Sequence, residues 1–322
     1  MSPRLGLVYQ SDAPFIATDA EILSARYRVQ LLKYRRKADF LRLARRLVHC
    51  DIVVSWFALG HSTATVFLSR LFGTPSAVIV GGWDVAAMPE VPYGAMLSAG
   101  RRRKTSWTLR HADLVVAPSR ASRDETTRWV HRDVRIIPLG VDTEFFRPSG
   151  SKQNLVATAV SVTHNAVIRT KGLDVLFEVA RNLPGTSFAV AGRQSREVEA
   201  DLRRLAPPNL QFVGWLDHDR LRDLFQRAAV YAQFSAHESF GLAAAEAMAS
   251  GCVPVVSDRG ALPELVGDAG VIVPYGDVAE STEAIEGAVA GQAATTARQR
   301  IESLFSMRRR RELLLQAMGE LA

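Results

Sequence analysis

HESFGLAAAEAMASGCVPVVS, residues 237–257, carries more structural information than any other stretch of the chain. Leu242, Ala245, Met248 and Ala249 recur on one helical face, Gly251 is a natural left-handed stop, and Val253 to Val256 follow as an apolar strand. Glu246 therefore falls inside the helix. Glu238, eight residues earlier, falls in the loop that feeds the helix N-terminus.

A helix opened by Ser239, Phe240 and Gly241 offers unpaired N–H groups and the positive end of the macrodipole, and Gly241 lets a ligand approach the backbone. That end suits an anion. The two carboxylates would repel a phosphate they pointed at, so they suit hydroxyls at either end of a phosphorylated ligand, such as those of a sugar and a ribose. The plain alternative is a solvated Glu246 and a Glu238 favoured only by the dipole.

Working outward, apolar β-branched runs alternate with helical patterns along the whole chain, the mark of βα units and parallel sheets. Strands are expected at 5–9, 51–56, 77–80, 114–117 and 134–137. After a break of linker composition at 138–152 (PLGVDTEFFRPSGSK), they are expected again at 155–160, 187–191, 209–213, 230–233, 253–256 and 271–273. Two α/β domains result, 1–147 and 148–322, with the last helix free to pack back on the first. Ligands of such sheets bind beyond the carboxyl ends of the strands, so two facing sheets would enclose an interdomain cleft.

The 322 residues suffice for two buried cores, with 48% of them apolar. No apolar run approaches the roughly 18 residues needed to cross a bilayer, and MSPRLGLVYQSDAP lacks a signal-peptide core, so a cytoplasmic protein is expected. Cys50 and Cys252 lie beside separate strands and read as reduced core thiols, and the seven histidines show no ligand spacing; no metal is expected. Neither candidate nucleotide-binding strand is followed by GxGxxG, which speaks against hydride transfer. Asp217-His218-Asp219 has the look of a metal-binding DxD, but Asp217 as the cap of a following helix explains it better.

Charge is uneven. Residues 1–150 hold 22 Lys and Arg against 13 Asp and Glu, a net of +9, while the remainder holds 18 against 20, a net of −2. The excess gathers at Lys33 to Arg46 and at Arg101 to Lys104. Leu31 to Val48 fits a helix with Phe40, Leu43, Ala44 and Leu47 on one side and Arg35, Arg42, Arg45 and Arg46 elsewhere around it. An anionic membrane surface, an anionic polysaccharide or plain solvation each accounts for such a helix; nucleic acid does not, since no aromatic-basic interleaving accompanies it.

The segments ESFGLAAAEAMASGCVPVVS, PELVGDAGVIV (263–273), IPLGVDTEFFRP (137–148), TKGLDVL (170–176), FVGWL (212–216) and HADLVVAPS (111–119) together resemble the retaining glycosyltransferases of family 4. This group has the GT-B fold and includes sucrose synthase-like enzymes and mannosyltransferases. The resemblance is strong over 110–275 and weak over the first 100 residues. It implies two Rossmann-like domains, the first binding an acceptor and the second a nucleotide diphosphate sugar. It also implies metal-independent transfer of a hexosyl group, with retention, from a UDP- or GDP-sugar to a hydroxyl of a glycan or lipid-linked glycan. The nucleotide sugar is a substrate, so no cofactor is implied. A nucleotide-sugar epimerase or hydrolase of the same fold, or a non-catalytic nucleotide-sugar-binding subunit, is the alternative.

By this similarity Glu246 holds the ribose hydroxyls and Glu238 a hydroxyl of the transferred sugar. Phe240, Gly241 and Leu242, with Ser239 beside them, offer backbone to the sugar and phosphates, and Leu216 borders the base. Lys171, at the head of the helix that begins Lys171-Gly172-Leu173, neutralises the departing diphosphate. Two departures stand out. The family's Gly-Arg pair is absent from Val160 to Thr163, leaving Arg169 to supply the second cation. A Gly-rich loop is also missing after the first strand, where QSDAPFIATDAE leaves Asp19 to cap the next helix. Gly81-Gly82-Trp83-Asp84 reads as a tight turn at a strand's carboxyl end, presenting Asp84 or Trp83 to sugar or acceptor or else serving as a structural turn. His61, after Trp56, is a further candidate.

Overall fold

The computed structural model describes residues 2–291 and 294–321. The chain divides into two compact units, one comprising residues up to Leu139 together with the segment from Arg308, the other Gly140–Met307.

The first unit runs β1 (Arg4–Tyr9), α1 (Pro14–Ser24), β2 (Arg28–Lys33), α2 (Phe40–Leu47), β3 (Ile52–Trp56), α3 (Gly60–Phe72), β4 (Ser76–Ile79), α4 (Ala99–His111), β5 (Leu114–Ala117), α5 (Arg120–Thr127) and β6 (Arg135–Ile136). The six strands are parallel in the order β2-β1-β3-β4-β5-β6. β3 and β4 are buried throughout, as expected of strands covered by helices on both faces.

The second unit runs β7 (Gln153–Ala159), α6 (Ala166–Thr170), α7 (Leu173–Asn182), β8 (Ser187–Ala191), α8 (Arg196–Leu205), β9 (Leu210–Gly214), α9 (His218–Arg227), β10 (Ala228–Gln233), α10 (Leu242–Ala249), β11 (Val253–Ser257), α11 (Leu262–Val266), β12 (Val271–Val273), α12 (Val278–Ala290) and α13 (Ala294–Leu304). Its parallel order is β12-β11-β10-β7-β8-β9, the doubly wound arrangement whose direction of progress reverses between β7 and β10. Val156, Val190, Val230 and Val255 carry its core across four adjacent strands. A last helix, α14 (Met307–Leu321), returns to the first unit, where Arg310 is buried against Asp19.

Four expectations change. The strands anticipated in the first half omit β2, and the helix expected over 31–48 is two elements. Residues 28–33 form an edge strand along β1, and only Phe40–Leu47 is α-helical, preceded by a single 3-10 turn at Lys37–Asp39. The turn between them is made by Asp39, whose carboxylate accepts the N–H groups of Arg35 (2.8 Å) and Arg36 (3.0 Å). Leu43 and Leu47 still face inward, so the periodicity was sound for the second element alone.

The compact units divide after Leu139, inside the expected linker 138–152, and residues 140–147 pack with the second unit. Phe146 is buried with its ring 6.4 Å from that of Phe225, and Arg298 binds the carbonyls of Thr143 (3.1 Å) and Phe146 (3.1 Å), which ties the linker to the second unit.

Asp19 caps nothing: α1 begins at Pro14, whose missing N–H and fixed φ suit a first helical position, and Asp19 sits buried in mid-helix. Lys171 closes α6 as its C-terminal cap, with Gly172 intervening before α7.

Asp217 caps α9 by accepting the Arg220 N–H at 2.9 Å. Cys50 and Cys252 are free and buried. Among the described residues no group of three or more His, Cys, Asp or Glu side chains could hold a metal ion, and no helix is long and apolar enough to cross a membrane.

Candidate active site

In a doubly wound sheet, ligands bind beyond the carboxyl ends of the strands where the winding reverses. In the second unit that point lies between β7 and β10, and the chain leaving β10 supplies Ser235, Glu238 and the start of α10. Two close approaches hold this segment. Ala236 N–H donates to the Thr170 carbonyl (2.8 Å) and Ala261 N–H to the Glu238 carbonyl (2.8 Å). Both need glycine: a Cβ on Gly172 would lie 2.0 Å from the Phe234 carbonyl oxygen, and one on Gly260 2.3 Å from that of Glu238.

This arrangement brings Lys171 and Glu238, 67 positions apart, into an ion pair at the surface of the unit. The Glu238 Oε1 that takes the ammonium also accepts from Gln233 Nε2 at 2.9 Å, and Gln233 in turn donates to Ser235 Oγ at 3.2 Å. Gln233 is the candidate site residue that reading the sequence missed. Its one signal is its place as the last residue of β10, at the carboxyl edge.

α10 opens from Gly241, and its first residue, Leu242, is half-buried. Phe240 turns its ring into the core, edge-on to Phe305 at 5.6 Å, so its side chain is withdrawn from any ligand. Ser239 is half-buried beside it.

Glu246, one turn further on, is the anomaly. Its carboxyl has no hydrogen-bond or ion-pair partner among the described residues, and burial alone pushes its pKa up to about 8. Tyr231 in β10 lies within electrostatic reach of both carboxylates. Burial first, and then the charges of Glu238 and Glu246, push its hydroxyl far above the usual range.

The remaining candidates lie further out. Arg169 is exposed on α6, two residues before Lys171, with its carbonyl accepting the Tyr275 hydroxyl at 3.3 Å. Leu216 is half-buried in the loop after β9. No cation follows β7 before Arg169.

Asp84 is not positioned to touch a ligand. It is fully buried in the first unit, with its carboxylate accepting the N–H groups of Ala58 (2.6 Å) and Gly81 (3.0 Å), so it ties the ends of β3 and β4 together. Burial, opposed by these N–H groups, pushes its pKa up to about 6. Trp83, half-buried, lies under the Arg101 guanidinium at 5.4 Å. His61 is buried, with Nε2 2.6 Å from the Trp56 carbonyl oxygen.

Winding reversal, the Lys171–Glu238 pair and the unpartnered carboxyl in α10 together mark out one candidate site in the second unit. Known proteins resemble the chain over both units. The family model described as Glycosyltransferase Family 4 matches residues 9–145, and the one described as Glycosyl transferases group 1 matches 150–303. The chain is 30% identical over 217 residues to the glycogen synthase of Mycobacterium tuberculosis, covering 62% of this chain and 52% of that protein. It is 28% identical over 223 residues to the lipopolysaccharide core biosynthesis mannosyltransferase LpcC of Rhizobium leguminosarum bv. viciae, covering 62% of each. Among solved structures, Anabaena Alr3699/HepE in complex with UDP-glucose superimposes with a TM-score of 0.81 at 17% identity, over 99% of this chain and 100% of that one. The chain spans about half the length of the curated relatives it matches. It belongs to the family 4 glycosyltransferases and has their GT-B fold.

Proposed function

We propose that the chain transfers a hexosyl group, with retention, from a UDP- or GDP-sugar to an acceptor hydroxyl on a glycan or lipid-linked glycan. The observation that carries this reading is Glu246. A half-enclosed carboxyl without a partner costs folding free energy, and ribose hydroxyls donating to it offset that cost when donor is bound. The diphosphate takes its place at the amino end of α10, where backbone N–H groups and the dipole favour negative charge.

Lys171 meets the other side of the diphosphate. As phosphate approaches, the ammonium is shared between it and Glu238, and the Glu238 carboxylate, still oriented by Gln233, accepts a hydroxyl of the sugar. The bond from the anomeric carbon to the β-phosphate oxygen breaks as the acceptor oxygen bonds to the same face of that carbon, and the acceptor's proton passes to the departing phosphate oxygen. Charge develops on the diphosphate, and Lys171, with Arg169 on the solvent side, supplies the counter-charge a metal would otherwise provide.

The first unit receives the acceptor in this reading. Its cationic surface, with exposed Arg42, Arg45 and Arg46 on α2, suits peripheral attachment to an anionic inner membrane face.

Titration calorimetry with UDP- and GDP-sugars, followed by product analysis with labelled donor, tests the proposal. One donor is expected to bind and to label an acceptor. Release of free sugar alone, at the full rate with acceptors present, would make the protein a hydrolase instead.

A further inference from the structure

The first unit also reverses its winding, between β1 and β3, and a cavity of about 600 Å³ opens there. Gln10 follows β1, residues 34–40 follow β2, and Gly60, His61 and Thr63 begin α3. α4 closes the far side with Lys104 and Trp107.

The cavity is amphipathic. Phe40, Ala64, Phe67 and Trp107 make an apolar floor, and Arg35, Arg36, Lys37 and Lys104 make an exposed rim. No acidic side chain lines it, and among the described residues none of the four rim cations is in an ion pair. The nearest carboxylates in sequence are engaged: Asp39 with the Arg35 and Arg36 N–H groups and with Arg42, and Asp12 with Lys33.

His61 lines the same cavity. It is 3% exposed and its Nε2–H donates to the Trp56 carbonyl, which leaves a buried Nδ1 with no partner. The apolar surface also continues past the cavity, because Phe67 and Leu71, one turn apart on α3, are 51% and 66% exposed.

We infer that this cavity binds a lipid phosphate, the phosphate among the four rim cations and the first carbons of the chain on Phe40, Phe67 and Trp107, running out over Leu71. The site gives the acceptor of the proposed transfer a chemical class, a phosphate- or diphosphate-bearing lipid. It rests on that reading only for the word acceptor. An aliphatic segment alone would leave the cations unused, and a free phosphate would leave the apolar floor bare.

Decyl phosphate, kept below its micelle-forming concentration and titrated into the full chain, tests this directly, with inorganic phosphate and a neutral decyl glycoside as companions. Decyl phosphate is expected to bind at least about tenfold more tightly than either companion. Phe67→Gln and Lys104→Gln, both at exposed positions, should each weaken it about fivefold, and Glu246→Gln should leave it unchanged. Equal binding of inorganic phosphate would reduce the site to an anion patch, equal binding of the glycoside to an apolar groove, and no binding would remove it; each outcome overturns the inference. Donor turnover measured on the same variants keeps the two readings apart. Turnover without decyl phosphate binding removes only the lipid site, whereas decyl phosphate binding with no sugar transfer to any acceptor removes only the transferase reading.

Discussion

Asp19 in α1 and Arg310 in α14, 291 positions apart, form a two-pronged ion pair, Nε to Oδ1 and Nη2 to Oδ2 both at 2.7 Å, with the two residues 0% and 2% exposed. Trp56 Nε1 donates to the same carboxylate at 2.9 Å, and Arg310 Nη1 donates to the Pro138 carbonyl at 2.8 Å, so all three guanidinium nitrogens are engaged as donors. The C-terminal helix is thereby fastened to the first unit.

Arg310→Ala should destabilise the first unit by about 3 to 5 kcal/mol, because it strands a buried carboxylate. Asp19→Leu combined with Arg310→Met should recover much of that loss. Urea unfolding of the three proteins checks this. A double variant no better than Arg310→Ala would show that the hydrogen bonds to Trp56 and Pro138, rather than the buried charges, dominate.

Glu246 should make stability fall as pH rises. Its carboxyl titrates near 8 in the folded chain against 4.5 ordinarily, so between these values the folded state keeps a proton that the unfolded state has released. The stability this group contributes is complete below pH 4.5 and is lost as pH climbs through 8. Glu246→Gln should accordingly melt higher than the parent at pH 8 and alongside it at pH 4.5. Identical melting differences at both pH values would contradict the burial argument.

The same group should couple donor binding to proton release. Ribose hydroxyls donate better to a carboxylate than to a carboxylic acid, so affinity should rise as pH approaches 8, and calorimetry in buffers of different ionisation enthalpy should record protons released near pH 7. Glu246→Gln should abolish the release and weaken donor binding by about 1.5 to 3 kcal/mol. Unchanged donor affinity would remove Glu246 from the site.

Lys171→Ala should lower kcat by about 100- to 1,000-fold if the ammonium meets charge on the departing diphosphate. Glu238→Gln, which keeps the shape and the Gln233 neighbour, should act mainly on discrimination between donor sugars. A Lys171→Ala enzyme with raised KM and full kcat would place the lysine in ground-state binding alone.

Anionic liposomes should float with the protein at low salt and release it at high salt. The outward face of α2 and its C-terminal cap presents Leu41, Arg45 and Val48 at helical spacing, with Leu41 68% and Val48 51% exposed, and each cation near such a surface contributes about 1 kcal/mol. Recovery from neutral liposomes at equal yield would dissociate attachment from charge.

The strands of the second unit were legible almost residue by residue, because runs such as Val253 to Val256 are buried on both faces and need no partner to be recognised. β2 was not. RVQLLK is an edge strand with a single neighbour, and its mixed polarity merges with the arginine-rich helix beyond it. Glu238 and Glu246 stood out by spacing, whereas Gln233 carries no local mark, since a glutamine at a strand end is ordinary until a lysine-paired carboxylate is folded against it. Asp84 and Asp19 were visible as acids near turns and helix starts, but neither could be told from a cap or a ligand-facing group.

Local order was therefore written in the chain itself: the alternation of strand and helix, the short helix behind Gly241, and the basic character of the first half all follow from periodicity and composition within a few tens of residues. Only the tertiary structure decided which charges meet. Lys171 with Glu238 and Asp19 with Arg310 are paired by the order in which strands and helices stack, and Glu246 is left alone by the same stacking. Partnership across 67 or 291 positions depends on where the backbone returns in space, and no local pattern of residues encodes that return.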